Sequence, residues 1–173
     1  MGYFILEEHK SYHPPRIRNW YGKIETNPLK RKGKYLTKKY TTYPIESHLQ
    51  TAFFDILLHP CLMVSQKAKE IIDMYDPTLK YEQLLLYDPQ NRKTQAYYLP
   101  KLPHLDVLTE NTQFNFDKSE IIHAEISRQK THQKALFQVA KLDFDCILIH
   151  LDLIESLLRQ DVICMGLKET TII

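Results

Sequence analysis

Apolar residues come along this chain in short runs separated by polar and proline-rich breaks, a pattern that predicts many short elements rather than a few long helices. Tyr3-Phe4-Ile5-Leu6 predicts a strand that ends near His13-Pro14-Pro15, where two prolines remove backbone donors and favour extended chain. Ile17 to Ile24 predicts a second strand around Trp20 and Tyr21. Leu29-Lys30-Arg31-Lys32-Gly33-Lys34 has little apolar content and predicts a basic surface loop over residues 29–40. From Ile45 to Leu58, apolar residues at Leu49, Phe53, Ile56 and Leu57 have near-helical spacing and predict a helix.

The sharpest signal begins at Leu62-Met63-Val64, a short apolar run leading into Ser65, a favoured helix N-cap. Ala68, Ile71, Ile72 and Tyr75 then recur at i, i+3, i+4 and i+7, one face of a helix that Pro77 stops. Tyr81 to Tyr87 predicts a strand, Asp88-Pro89-Gln90-Asn91 a turn, and Ala96 to Leu99 the returning strand. Ile121 to Ile126 and Ala135 to Val139 predict further strands. Cys146-Ile147-Leu148-Ile149-His150 then repeats the apolar run, with Asp152 as the expected cap, Glu155 three positions on as a capping box, and Leu153, Ile154, Leu157 and Leu158 as the helix face. Two copies of a strand–cap–helix unit do not make a solenoid. The expected fold is a single α+β domain over residues 1–173, mainly antiparallel sheet with a few packed helices.

The segments LMVSQKAKEIIDMY, YYLPKLPHLDVL and ILIHLDLIESLLRQDVICMGLKE occur in that order, with YFILEEH and NWYGKIE before them. Together they resemble a family of small immunity proteins from bacterial polymorphic toxin systems. The resemblance implies a cytosolic protein that binds one toxin, encoded beside it, and neutralises it by direct complex formation. It implies no catalytic residues and no particular contact residues. One departure is the cap, which reads Ser65 in the first strand–helix unit and His150-Leu151-Asp152 in the second.

Composition narrows the alternatives. A chain of 173 residues, 43% hydrophobic and 25% charged, can bury a core without metal or disulfide. Cys61, Cys146 and Cys164 lie in apolar runs and read as buried thiols of a reducing compartment. No apolar stretch reaches the length of a membrane span, and MGYFILEEHK has no basic leader, so a cytoplasmic location is expected. Residues 1–39 carry a net +7 and residues 40–173 a net −5. The acidic body disfavours a nucleic-acid enzyme, although the basic stretch with Tyr35 and Tyr40 leaves a nucleic-acid-binding regulator as one alternative. His9 and His13 have a ligand-like spacing, but no third ligand lies nearby, so no metal or other cofactor is expected. Ser65 lacks the flanking glycines of a nucleophile elbow. A second alternative is an enzyme whose site is assembled from dispersed residues such as His104, Asp106 and His123. The residues expected to meet a protein partner are the aromatic pair Trp20 and Tyr21 and the acids Asp143 and Asp145.

Overall fold

A computed structural model describes residues 2–11, 13–31, 41–49, 51–162 and 165–173. Among them the chain forms thirteen strands and three α-helices, so the fold is more β-rich than the sequence suggests. The first sheet contains β2 (Arg16–Ile17), β3 (Thr42–Glu46), β4 (Ile56–Leu57), β5 (Met63–Val64), β6 (Tyr81–Asp88) and β7 (Lys93–Pro100). The second contains β1 (Tyr3–Glu8), β8 (His104–Leu105), β9 (Gln113–Phe114), β10 (Ile121–Ile126), β11 (Leu136–Val139), β12 (Ile147–His150) and β13 (Met165–Ile172). Helices α1 (Pro28–Arg31), α2 (Gln66–Tyr75) and α3 (Leu151–Arg159) complete the described elements, with a 3₁₀ turn at Arg128–Thr131.

Helix α2 forms as its pattern predicts. The Ser65 hydroxyl accepts from the Ala68 N–H at 3.2 Å, satisfying an orphan donor of the first turn, while Ala68, Ile71 and Ile72 are buried. Hairpin β6–β7 is paired along its whole length, from Tyr81 opposite Pro100 to Asp88 opposite Lys93. Asp88 fixes the turn by accepting from the backbone N–H groups of Gln90 and Asn91 at 3.0 and 3.1 Å.

Four expectations are corrected. Among the described residues of 45–58 there is no helix: Tyr43 and Ile45 alternate inward with period two in β3, and Leu49 is fully exposed rather than on a buried face. The strand expected over Ile17–Ile24 stops at Ile17, because left-handed Asn19 and Gly22 turn the chain. The basic loop does not begin at Leu29: Leu29–Arg31 belong to α1, and Arg31 is buried; residues 32–40 lie outside the described residues. Helix α3 starts at Leu151, so its cap is His150 and not Asp152, and Glu155 reaches Arg159 at 3.4 Å instead of closing a capping box.

The repeated strand–helix unit extends far beyond those two elements. Reading across the first sheet gives β4-β5-β7-β6-β3, and across the second β11-β12-β1-β13-β10. In both, the first three pairings are antiparallel and the fourth parallel. The register agrees as well. Val64 pairs with Ile56 and Tyr98, while Ile149 pairs with Leu136 and Phe4. Gln83 opposes Tyr98, as Glu169 opposes Phe4. Each sheet curls around its own core, and matching positions build both cores: Leu57 and Phe137, Cys61 and Cys146, Met63 and Leu148, Tyr97 and Tyr3, Leu99 and Ile5. The chain is therefore two copies of one unit. The last strand of the first copy, β7, follows its own β6. Its counterpart in the second copy is β1, supplied from the start of the sequence.

A third cluster joins the copies. Helices α2 and α3 pack together between the sheets, with Val64, Ala68 and Ile72 meeting the matching Ile149, Leu153 and Leu157. Each fully buried aliphatic side chain there contributes about 1.5–3 kcal/mol by leaving water.

Candidate functional site

The aromatic pair Trp20 and Tyr21 lies in the turn after β2. Asn19 has φ 52° and Gly22 φ 74°, and Lys23 and Ile24 donate their backbone N–H groups to the Trp20 carbonyl at 2.9 and 3.1 Å. Glycine suits the second position through its φ, since a Cβ there would meet nothing within 4 Å. The resulting turn sends the two side chains to different fates. Trp20 is half-buried against the first core and edge-on to His59 at 5.5 Å. Tyr21 is 87% exposed, its ring in edge contact with Trp20 at 5.9 Å. A shallow hollow lined by Ile17, Arg18, Asn19 and Glu46 runs beside the pair.

The two acids separate. Asp143 is exposed. Asp145 is drawn inward to Arg31, whose guanidinium donates to its carboxylate at 2.5 Å and to the Thr26 carbonyl at 2.9 Å. Burial pushes the Asp145 carboxyl above its ordinary value, against the opposing pull of Arg31. The pair sits beside Cys61, whose buried thiol is pushed up to about 12, and Cys146 behaves likewise at about 12. Both are free, buried thiols whose burial disfavours the thiolate; Cys164 lies outside the described residues.

Of the dispersed enzyme candidates, His104 lies on β8 and His123 on β10, and the chain just after β8 bonds back to β10: the Ser127 N–H donates to the Val107 carbonyl and the Thr109 N–H to the Glu125 carbonyl, each at 2.9 Å. Asp106 is ion-paired with Lys141 at 2.5 Å, and His123 Nε2 lies 3.1 Å from the Thr171 hydroxyl. His9 Nδ1 accepts from the Ser11 N–H at 3.2 Å. Ser65 donates its hydroxyl proton to Asp55 at 2.6 Å and is buried.

A feature that no motif indicated is a cleft of about 900 Å³ where Tyr75, at the end of α2 in the first copy, faces residues of the second. Tyr3, Tyr75, Arg128, His132, His150 and Asp152 are among its lining residues. Five separated segments supply them, which is why sequence spacing could not reveal the site. Tyr3 packs edge-on to the His150 ring at 4.8 Å and donates its hydroxyl to the Lys134 carbonyl at 2.9 Å. Tyr75 joins α2 to α3 by donating to the Asp152 carbonyl at 2.8 Å, with the Ser156 hydroxyl 2.6 Å away. His132 and Gln133 are consecutive left-handed residues, φ 48° and 56°, a non-glycine conformation that costs about 1–3 kcal/mol each and persists only where surrounding structure enforces it. Spacing gave no sign of the cleft, because Asp152 and not His150 was the expected cap of α3.

No family model matches the chain, and no curated protein matches it in sequence. Among the described residues no helix is long and apolar enough to cross a membrane.

Proposed function

We infer that this protein acts by binding another protein, and specifically that it is an immunity protein neutralising a cognate bacterial toxin domain in the cytosol by direct complex formation. The observation that carries the reading is Tyr21, a large aromatic side chain 87% exposed on a turn that two left-handed residues define and Trp20 backs. Aromatic residues presented in this way supply contact area at little cost in conformational entropy, and such anchors dominate many interfaces. The likeness of the sequence segments to immunity proteins gives the partner its class.

The test is co-expression with the C-terminal domain of the secreted protein encoded next to it. Rescue of growth with a co-purifying one-to-one complex supports the reading, and Tyr21→Ala should then weaken the complex by tenfold or more, about 1.4 kcal/mol. Rescue with no complex would point to an enzyme that repairs the toxin's damage. Absence of rescue would remove the toxin as partner.

A further inference from the structure

The two copies provide a comparison within one molecule, and they differ along the seam where each helix lies on its sheet. In the first copy the seam is polar. Lys69 on α2 holds its ammonium over the Tyr81 and Tyr98 rings, 4.7 and 5.8 Å from their centres, and pairs with Asp73 at 2.6 Å. The Tyr81 hydroxyl donates to the same carboxylate at 2.9 Å. Register identifies the counterparts in the second copy. Phe4 stands opposite Glu169 as Tyr98 stands opposite Gln83, and Leu167 precedes Glu169 by two residues as Tyr81 precedes Gln83. On the helices, the match of Ala68 and Ile72 with Leu153 and Leu157 puts Ile154 in the place of Lys69 and Leu158 in the place of Asp73. The cation, the acid and both phenol hydroxyls are all replaced by hydrocarbon.

That hydrocarbon is not covered. Leu158 and Leu167 are 52% and 39% exposed, and Phe4 is half-buried where it packs with Ile154 on the third cluster. Leu167 faces the helix side of its sheet, because its direct partner Leu6 is buried in that cluster. Single exposed leucines are ordinary, but these two fall on one seam that the other copy fills with polar groups. The rim says what fits. Glu169 is exposed on the same face, directly opposite Phe4, and forms no ion pair among the described residues. The neighbouring charges are engaged elsewhere. Lys168 points to the opposite face and donates to the Ile121 carbonyl at 2.7 Å, and Arg159 pairs with Glu155 at 3.4 Å. The His123 ring lies 3.1 Å from the Thr171 hydroxyl. The first copy thus supplies both a cation and its carboxylate, whereas the second has a carboxylate and lacks the cation. Long basic side chains lay their stems along apolar surface and keep the charged head at the rim.

We propose that the seam between α3 and β13 receives an arginine side chain of the protein partner, its stem on Leu158 and Leu167 and its guanidinium donating to the Glu169 carboxylate. Arginine suits the place better than lysine, because its flat, weakly hydrated head pairs with carboxylates in two-pronged fashion and is enriched at interfaces. This rests on the reading of the chain as a binding protein, and it adds to Tyr21 a second contact of stated chemistry.

The experiment uses the full chain labelled with ¹⁵N and titrated at neutral pH with a capped tetrapeptide of glycine and one arginine. The same peptide with citrulline, which keeps the stem and loses the charge, and methylguanidinium, which keeps the charge and loses the stem, are run in parallel. The expected result is a saturable shift of the Leu158, Leu167 and Glu169 amides by the arginine peptide, at least tenfold weaker with either control. Glu169→Gln installs the residue type found at the matching place in the first copy, and its response to the arginine peptide should fall to that of the citrulline peptide. Leu158→Ser, at a half-exposed position, should weaken binding without altering the dispersion of the spectrum; should that variant fail to fold, Glu169→Gln decides alone. No response to the arginine peptide, an equal response to citrulline, equal or tighter binding of methylguanidinium, or an unchanged Glu169→Gln would each overturn the proposal. A Tyr21-dependent complex that survives such a result would leave the binding reading standing without the seam; a peptide response with no toxin complex would do the reverse.

Discussion

Tyr3 stands in the second sheet where Tyr97 stands in the first, and the two hydroxyls make the same bond: Tyr97 to the Phe54 carbonyl at 2.7 Å, Tyr3 to the Lys134 carbonyl at 2.9 Å. Phe54 and Lys134 each lie two residues before the paired positions Ile56 and Leu136. Tyr3→Phe and Tyr97→Phe should therefore each cost about 1 kcal/mol, the usual net value of such a bond. Urea unfolding of the single and double variants is the check. The sites share no partner, so the two losses should add.

The permuted second copy leads to a connectivity test. β13 and β1 are antiparallel neighbours, as β6 and β7 are, but only the latter pair is joined by a hairpin. A circular permutant that begins at His13 and joins Ile173 to Gly2 through the segment Asp88–Gln95 should fold to the same structure. Circular dichroism and amide spectra matching the parent are expected. A chain that collapses without native dispersion would mean that the link from β1 to β2 is itself required.

Arg31 and Asp145 are 114 residues apart and form a largely covered pair, 9% and 23% exposed at the side chain. Removing either partner alone strands the other charge. Arg31→Met or Asp145→Leu should each destabilise by about 3–5 kcal/mol, and the double variant should recover most of the loss. A double-mutant cycle in urea measures the coupling directly.

Asp88 gives a pH dependence with a definite sign. Hydrogen bonds from Ser47 first, then from Asn91, hold its carboxyl down at about 2. A depressed folded value means that this stabilisation is present above the unfolded value of about 3.9 and is lost as pH falls through about 2. The denaturation midpoint should therefore drop between about pH 4 and pH 2. Asp88→Asn should flatten that decline and lower stability at neutral pH, because an amide NH₂ there would face the Asn91 side-chain donor.

Much of the local structure was legible. The Ser65 cap and α2 carry their own signals, and the β6–β7 hairpin announces its turn through Asp88-Pro89. What misled was spacing without burial: Leu49 and Phe53 fell at helical intervals, yet nothing covers Leu49. At α3 the capping-box pattern pointed to Asp152 because acids usually cap, and His150 took the position instead. The duplication was visible only as its strand–helix fragment, because the strand that completes the second copy lies at the opposite end of the sequence. The turn that exposes Tyr21 could not be anticipated, because the apolar run from Ile17 to Ile24 predicted a strand through it. Nor could the pairing of Asp145, because nothing local marks a partner 114 residues away.

The permuted arrangement also sets an order on biosynthesis. Residues 16–100 contain all the strands of the first sheet, so that copy can close as soon as it leaves the ribosome. β1 emerges before any of it, yet its neighbours β12 and β13 are translated last among the described strands. Until β12 is translated, the apolar run Tyr3-Phe4-Ile5-Leu6 has neither of its strand partners, although every described strand of the first copy has already been made. A chain cut short before β13 would keep that strand exposed on one edge, the kind of open template that chaperones hold and proteases remove.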